Sequence, residues 1–411
     1  MKINFSPPDI SQLEIDEVVD TLRSGWITTG PKTKRLEQEL AQFVGTSRVV
    51  CMNSATIAME MVLRFLGIGP GDEVITSAYT YSASASVIHH VGAKIVMADT
   101  AKDTFFIDPE DVRRKITNRT KAIIPVNLGG VMTDNSALIE LCEEYRSVFT
   151  AANDRQKQLG RIVVLADAAH SLGAVRNGLR SGQDADFSCY SFHAVKNFTT
   201  AEGGAITWRQ EGGWNDEEVY REFMLLALHG QNRDALAKTK GGDWEYDIIY
   251  PGYKGNMTDI MASLGLAQLK RYPELLERRA QMIHRYDERL TQLPYLRPLK
   301  HYDDTSRSSG HLYLVNLLGF PVEARNEVIE RMSERDIAVN VHYKPLPMMT
   351  AYKNLGFDIA DYPNAYHMYE NEVTLPLHTL LTDEQVEYLL DQFIEVCELV
   401  RKEHRIDYET I

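Results

Sequence analysis

Lys196 lies in the stretch Tyr190-Ser191-Phe192-His193-Ala194-Val195-Lys196-Asn197-Phe198-Thr199-Thr200-Ala201-Glu202-Gly203-Gly204. The alternating run Asp186 to Phe192 before it predicts a strand, and the apolar segment Ala205 to Trp208 predicts a second. A lysine among apolar residues between two buried strands is costly when charged and unpaired, so its pKa should fall. Such an amine is a nucleophile and forms a Schiff base with an aldehyde. An ordinary surface lysine in a loop fits the same stretch, so residues elsewhere must decide.

Two of them lie upstream. Asn53-Ser54-Ala55-Thr56 joins a short strand, Arg48 to Met52, to an apolar helical stretch, Ile57 to Leu66. Ser54 is a good N-cap type. The free amides and positive dipole end of such a junction suit an anion, although a plain capped helix reads the same way. Further on, the apolar strand Arg161 to Ala166 ends in Asp167-Ala168-Ala169-His170. An aspartate at the end of a buried strand needs a cation or strong donors, which a structural salt bridge would also supply. In this order an anion site, a buried carboxylate and a lysine match what pyridoxal phosphate requires. The phosphate needs amide donors, the pyridine nitrogen a carboxylate, and the aldehyde an amine. Tyr81 is a candidate to cover one face of the ring.

The elements that must hold these residues alternate. Strands are expected at Glu73 to Thr76, Lys94 to Ala98 and Lys121 to Val126. Helices are expected at 9–23, Lys32 to Phe43, Tyr79 to His90, Pro109 to Ile116 and Ser136 to Tyr145. This alternation predicts a largely parallel sheet with helices on both faces, binding ligands beyond the carboxyl ends of its strands. With 411 residues, one large or two medium domains are expected. A net charge of −14, from 44 basic and 58 acidic residues, argues against nucleic acid as the main partner. No apolar run is long enough to span a bilayer, and the start lacks the apolar segment of a signal peptide. The four cysteines are scattered without CxxC spacing. They suggest neither zinc nor a disulfide scaffold and fit a reducing cytoplasm.

The chain resembles the DegT/DnrJ/StrS family of pyridoxal-phosphate sugar aminotransferases over nearly its whole length. The matching segments include Gly25 to Pro31, Asn53 to Thr56, Gly69 to Ile75, Thr120 to Val126, Asp167 to His170, Ser191 to Asn197, Glu202 to Gly204 and Pro251 to Asp259. The resemblance implies an α/β fold of the aspartate aminotransferase type (fold type I). A large, mostly parallel sheet domain over residues 1–270 would precede a smaller C-terminal α+β domain over 271–411. It implies that Lys196 holds the cofactor and moves the proton between substrate carbon and cofactor. Asp167 would pair with the pyridine nitrogen and His170 would lie near the ring hydroxyl. Ser54, Ala55, Thr56 and Ser191 would bind the phosphate, and Tyr81 would stack on the ring. It implies a homodimer with both sites at the interface, where Lys254 to Asn256 reach the partner's phosphate. Thr28, Thr29, His193, His342 and Tyr343 fall where the substrates would bind.

The chain departs from the family in two places. Many members carry Asn and Arg where this chain has Lys254 and Asn256. Members similar to the UDP-4-amino-4-deoxy-L-arabinose aminotransferases share the Lys and Asn. A lysine contacts phosphate as a point charge, so the role can survive. The polar segment Val148 to Gly160 looks like an insertion and is expected to be a surface feature. Downstream, a long helix from Leu264 to Leu290, interrupted near Pro273, should lead to strands at His311 to Val315 and Ala338 to Tyr343 and a closing helix, Asp383 to Lys402. Arg233 and Lys238 lie in a polar loop that could meet a diphosphate, or simply water. The expected reaction moves an amino group from L-glutamate to a keto group of a nucleotide-linked sugar, at C4, in the cytoplasm. A sugar dehydratase on the same fold and a catalytically idle regulatory protein are the rivals. Resembling dehydratases replace the lysine with histidine, and an idle protein need not keep Asp167 and Lys196 together.

Overall fold

The computed structural model describes residues 1–210, 213–232 and 245–407. Helices α1 (Gln12–Ser24) and α2 (Pro31–Val44) precede strand β1 (Val49–Met52), which runs straight into α3 (Ala55–Phe65). Alternation follows: β2 (Glu73–Ser77), α4 (Ala83–His90), β3 (Lys94–Ala98), α5 (Pro109–Lys115), β4 (Thr120–Ile124), α6 (Asn135–Glu144), α7 (Asp154–Leu159) and β5 (Val163–Asp167). A small hairpin, β6 (Val175–Arg176) and β7 (Leu179–Arg180), comes before β8 (Phe187–Ser191) and β9 (Gly204–Trp208). Helices α8 (Asp216–Ala227) and α9 (Asp259–Leu290) lead to β10 (Leu296–Pro298), β11 (Ser306–Arg307), β12 (Tyr313–Leu317) and α10 (Val322–Glu334). The chain closes with α11 (Thr350–Asn354), α12 (Pro363–Glu370), β13 (Glu372–Leu375) and α13 (Asp383–Glu403).

Seven strands form one sheet in the order β1-β9-β8-β5-β4-β2-β3. The pairs from β8 to β3 are parallel. Only β9 runs against its neighbours, β8 and β1. The reason is the connection: no helix intervenes between β8 and β9, and a parallel return needs a crossover. Alternate residues of each strand serve the two faces. Val163 and Leu165 join a core with α3, α4 and α8, whereas Val164 and Ala166 join one with α5 and α6. A second, antiparallel sheet, β10-β12-β13, packs with α10, α13 and the end of α9 around its own core.

Three local expectations change. Helix α9 runs through Pro273 without interruption. A proline removes one hydrogen bond but need not end a helix whose flanks are buried; here Leu269, Tyr272 and Leu275 are, and the Tyr272 hydroxyl donates to the Leu172 carbonyl at 2.9 Å. Residues 338–343 form no strand: Asn340 makes an isolated bridge to Thr374, and the His342 amide donates to the Glu372 carboxylate instead of a ladder. Tyr79 to Tyr81 precede α4, because the Ser77 hydroxyl captures the Tyr79 amide and turns the chain. The segment at 148–160 is a surface feature as expected, with only Gln156 and Leu159 buried, and side chains tie it to the end of α3. Asn153 and Gln156 both donate side-chain amides to the Leu66 carbonyl, at 2.9 and 3.0 Å, and Arg155 donates to Phe65 at 2.6 Å. These bonds satisfy carbonyls that the end of α3 leaves open. Among the described residues no helix is long and apolar enough to cross a membrane.

Candidate active site

The carboxyl ends of β1, β2, β4, β5 and β8 point to one edge of the sheet, where the antiparallel β9 begins. A cavity of about 430 Å³ opens there, and Ser54, Ala55, Thr56, Tyr81, Asp167, His170, Ser191, His193, Lys196 and Tyr343 all border it.

The phosphate candidates stand at the start of α3. The Ser54 hydroxyl accepts the Ile57 amide at 3.2 Å and fixes the first turn. The amides of Ala55 and Thr56 come first in the helix, where no internal acceptor exists. Gly204 makes room for this turn: a Cβ there would lie 2.4 Å from the Ser54 carbonyl carbon and 2.5 Å from the Ala55 nitrogen. Only a residue without a side chain lets β9 approach so closely.

Asp167 is buried at the end of β5. Its Oδ2 accepts the Ser84 hydroxyl at 2.7 Å and its Oδ1 accepts the Ala169 amide at 3.2 Å. Burial raises its pKa, and these two donors together with Lys196 offset part of the rise.

Lys196 sits in the turn between β8 and β9, its amide donating to the His193 carbonyl at 2.9 Å. Phe192 and Phe198 pack edge to face across the turn, with ring centres 4.8 Å apart. Asn197 ties it down, donating to the Ser309 carbonyl at 2.8 Å and accepting from His311 Nδ1 at 2.9 Å. Lys196 is half-buried, with one side on the open cavity. Desolvation by the surrounding protein lowers its pKa to about 8, and Asp167 pulls weakly the other way. Lys196 thus faces a cavity rather than open solvent.

His170 Nδ1 accepts the Gly129 amide at 3.2 Å, which leaves its proton on Nε2, 3.3 Å from the Tyr343 hydroxyl. Burial holds this ring neutral, its pKa well below the ordinary value. Tyr81 is 64% exposed at the rim, with its ring centre 5.9 Å from that of Tyr343. His193 is exposed and lies 3.6 Å from Glu202, a pair that is ionic when the imidazole is protonated.

The remaining sequence candidates do not border this cavity. Thr28 and Lys254 are exposed. Thr29 is buried, donates to the Met257 carbonyl and accepts from the Asn256 amide, each at 2.5 Å. His342 stacks on Phe5 with centres 5.5 Å apart, and its Nδ1 meets the Thr374 hydroxyl at 2.9 Å. Burial lowers its pKa to about 3. Arg233 and Lys238 lie outside the described residues. Sequence reasoning missed Thr80, Ser84 and Asn127. Their partners are distant in the chain or their side chains face inward, so no local pattern marks them. Glu202 was within reach as part of the Glu-Gly-Gly motif, although its place at the cavity was not anticipated.

A family model for DegT/DnrJ/EryC1/StrS aminotransferases matches residues 8–394. The chain belongs to this family. It is 36% identical over 392 residues to the spore coat polysaccharide biosynthesis protein SpsC of Bacillus subtilis, covering 94% of this chain and 95% of that one. It is 34% identical over 400 residues to the UDP-4-amino-4-deoxy-L-arabinose–oxoglutarate aminotransferase of Shewanella sediminis, covering 95% and 96%. A Streptococcus pneumoniae protein provisionally named a sugar aminotransferase has been solved with pyridoxamine phosphate. It superposes with a TM-score of 0.95 at 55% identity, covering 97% of this chain and all of that one. The enzyme is a pyridoxal-phosphate-dependent aminotransferase of fold type I. Its residues fit that cofactor. A buried carboxylate with a raised pKa has only neutral donors and one lysine about it, and it borders a cavity that opens on unpaired helix amides.

Proposed function

We propose that the enzyme carries the amino group of L-glutamate to a keto group, at C4, of a nucleotide-linked sugar. The observation that carries this reading is that Lys196 and Asp167 border one cavity together with the open start of α3. When bound there, pyridoxal phosphate supplies an aldehyde for amine capture and a protonated ring that takes up the electron pair left at a deprotonated carbon.

The residues divide the remaining work. Ala55 and Thr56 amides, with the hydroxyls of Ser54, Thr56 and Ser191, bind the phosphate. Asp167 keeps the proton on the pyridine nitrogen. Tyr81 covers one face of the ring, and neutral His170 lies beside the ring hydroxyl. Lys196 holds the cofactor at rest. Freed by an incoming amine, its Nζ would take a proton from the substrate carbon and pass it to the cofactor, and in the second half of the reaction it would move a proton the opposite way, from the cofactor to the sugar carbon. A lysine with a pKa of about 8 can do both near neutral pH.

His193 and Tyr343 meet the substrates directly. Thr29 and His342, each already hydrogen-bonded within the chain, shape the ground behind. Lys254, Asn256 and the exposed Thr28 serve the site of a second copy, in a homodimer with shared sites. Their position outside their own cavity supports this arrangement. In this reading residues 1–270 form the cofactor-binding unit and 271–411 the smaller one. The enzyme works in the cytoplasm, and its product feeds a surface polysaccharide, glycan or secondary metabolite.

The visible spectrum of the purified protein tests the reading. A cofactor band that L-glutamate bleaches, and that a 4-keto sugar nucleotide restores, is the expected result. A band that glutamate leaves intact overturns the donor. Restoration by the 4-keto sugar with loss of a neighbouring hydroxyl and release of ammonia, and with no amino sugar formed, would instead establish the dehydratase.

A further inference from the structure

Two hydroxyls stand behind Asp167. Ser84, in the first turn of α4, and Thr80, in the segment before it, are both fully buried. Ser84 Oγ lies 2.7 Å from Asp167 Oδ2, and Thr80 Oγ1 lies 2.9 Å from Ser84 Oγ. An ionised carboxylate only accepts hydrogen bonds. The Ser84 proton therefore points at Asp167. With that proton committed, the outer contact uses the proton of Thr80. Thr80 borders the cavity with no proton left for it, so any bond it makes there accepts.

We propose that Thr80 and Ser84 are positioning residues: a one-way hydroxyl relay that fixes the orientation of Asp167, keeps it charged despite burial, and leaves Thr80 as an acceptor-only wall of the cavity. Its consequence for the pyridine nitrogen rests on the cofactor reading above. The relay itself rests on geometry. Lys196, Cys189 and Tyr343 are the titratable groups that face Asp167 from neighbouring elements. Burial holds Cys189 and Tyr343 neutral, so Lys196 alone among them changes charge as the solution turns alkaline.

The test is a carboxyl 13C NMR titration of aspartate-labelled protein without cofactor, with the Asp167 signal identified by its loss in Asp167→Asn. In Ser84→Ala the Asp167 midpoint should rise by about one to two pH units, the worth of one hydrogen bond to a charge. Thr80→Val should move it in the same direction by less, and Ser84→Thr should restore it. In parallel, the Kd for pyridoxal phosphate should rise ~10-fold in Ser84→Ala. Coincident midpoints in wild type and Ser84→Ala overturn the relay, as does a lowered melting temperature with an unmoved midpoint. If the midpoint moves but wild type cannot be loaded with pyridoxal phosphate, the relay stands and the cofactor assignment of these residues falls.

Discussion

Strands β5 and β8 lie side by side, and each carries charge at both ends. At their amino ends Arg161 and Asp186 face each other, both buried. Two parallel bonds of 2.7 Å join them, Asp186 also accepts the Val164 amide at 2.8 Å, and Arg161 reaches Glu143 at 2.8 Å. At the carboxyl ends Asp167 and Lys196 border a cavity, and no direct bond joins them. The first pair is saturated, because what each charge does not use on the other is taken up by Glu143 and the Val164 amide. The second is held apart, so each keeps capacity for a third body. The burial of the first pair stabilises a register, whereas the separation of the second leaves a lowered lysine pKa and a raised carboxylate pKa available for chemistry.

Exchanging the damage between the two ends gives the largest effect. Lys196→Met should cut transamination by at least ~10³-fold, while chemical denaturation at neutral pH shows a protein at least as stable as wild type. Arg161→Met should do the reverse. It strands a buried carboxylate and should cost about 3–5 kcal/mol in unfolding free energy, with kcat per folded molecule unchanged. Adding Asp186→Leu should recover much of that stability. An Arg161→Met protein that stays stable but loses kcat would break the comparison.

The open end should also respond to pH. Lys196 loses its proton at about 8 in the folded protein, but an unfolded lysine keeps it to about 10.4. Capture of pyridoxal phosphate by the apoenzyme needs the neutral amine, so its rate should rise ~10-fold from pH 7 to 9, with a midpoint near 8. Between the two pKa values the unfolded chain binds more protons, so stability relative to Lys196→Met should rise with pH across that window. Stopped-flow absorbance checks the rate, and urea midpoints at several pH values check the stability. A ~100-fold rise with no midpoint below pH 9 would place the Lys196 amine in water rather than behind a desolvating wall.

Much of the open end is legible in the sequence, because its residues follow strands directly. Lys196, Asp167 and Ser54 each stand where an apolar run stops, so strand and function share one local pattern. What supports them is not legible. Ser84 is an ordinary helix-start serine until Asp167, far along the chain, arrives beside it. Asn197 looks like any loop asparagine until Ser309 and His311 close on it. The sheet as a mostly parallel stack is legible, yet the reversal of β9 is not written in its residues; it follows from the missing crossover. His342 reads as a substrate residue by its place in a motif. Its stacking on Phe5 depends on the N-terminal segment folding across to residues 337–343, a contact that no local spacing encodes.

Asn197 gives an intermediate effect that separates aiming from chemistry. Asn197→Ala removes both anchors of the lysine turn but no charge. The expected result is a ~5–10-fold loss in kcat/KM, about 1–2 kcal/mol of stability, and an unmoved capture midpoint near pH 8. A shifted midpoint would mean that the turn sets the desolvation of Lys196 as well as its direction.

The smallest effect belongs to the far end of α3, whose start faces the cavity. Arg155 donates to the Phe65 carbonyl and lies over the Phe65 ring, 4.3 Å from its centre. A cation here complements the negative end of the helix dipole. The dipole effect fades within the last turn, and α3 spans 11 residues, so the charge cannot reach an anion at the other end. Arg155→Met should therefore cost about 1 kcal/mol of stability and change the Kd for pyridoxal phosphate by less than ~2-fold. Calorimetry for the first and fluorescence titration for the second would separate them. A 10-fold loss of cofactor affinity would have to be mechanical, with the first turn of α3 shifting when its last turn is released. The insertion at 148–160 would then belong to the open end of the molecule, and saturation at one end of an element would be a condition for openness at the other.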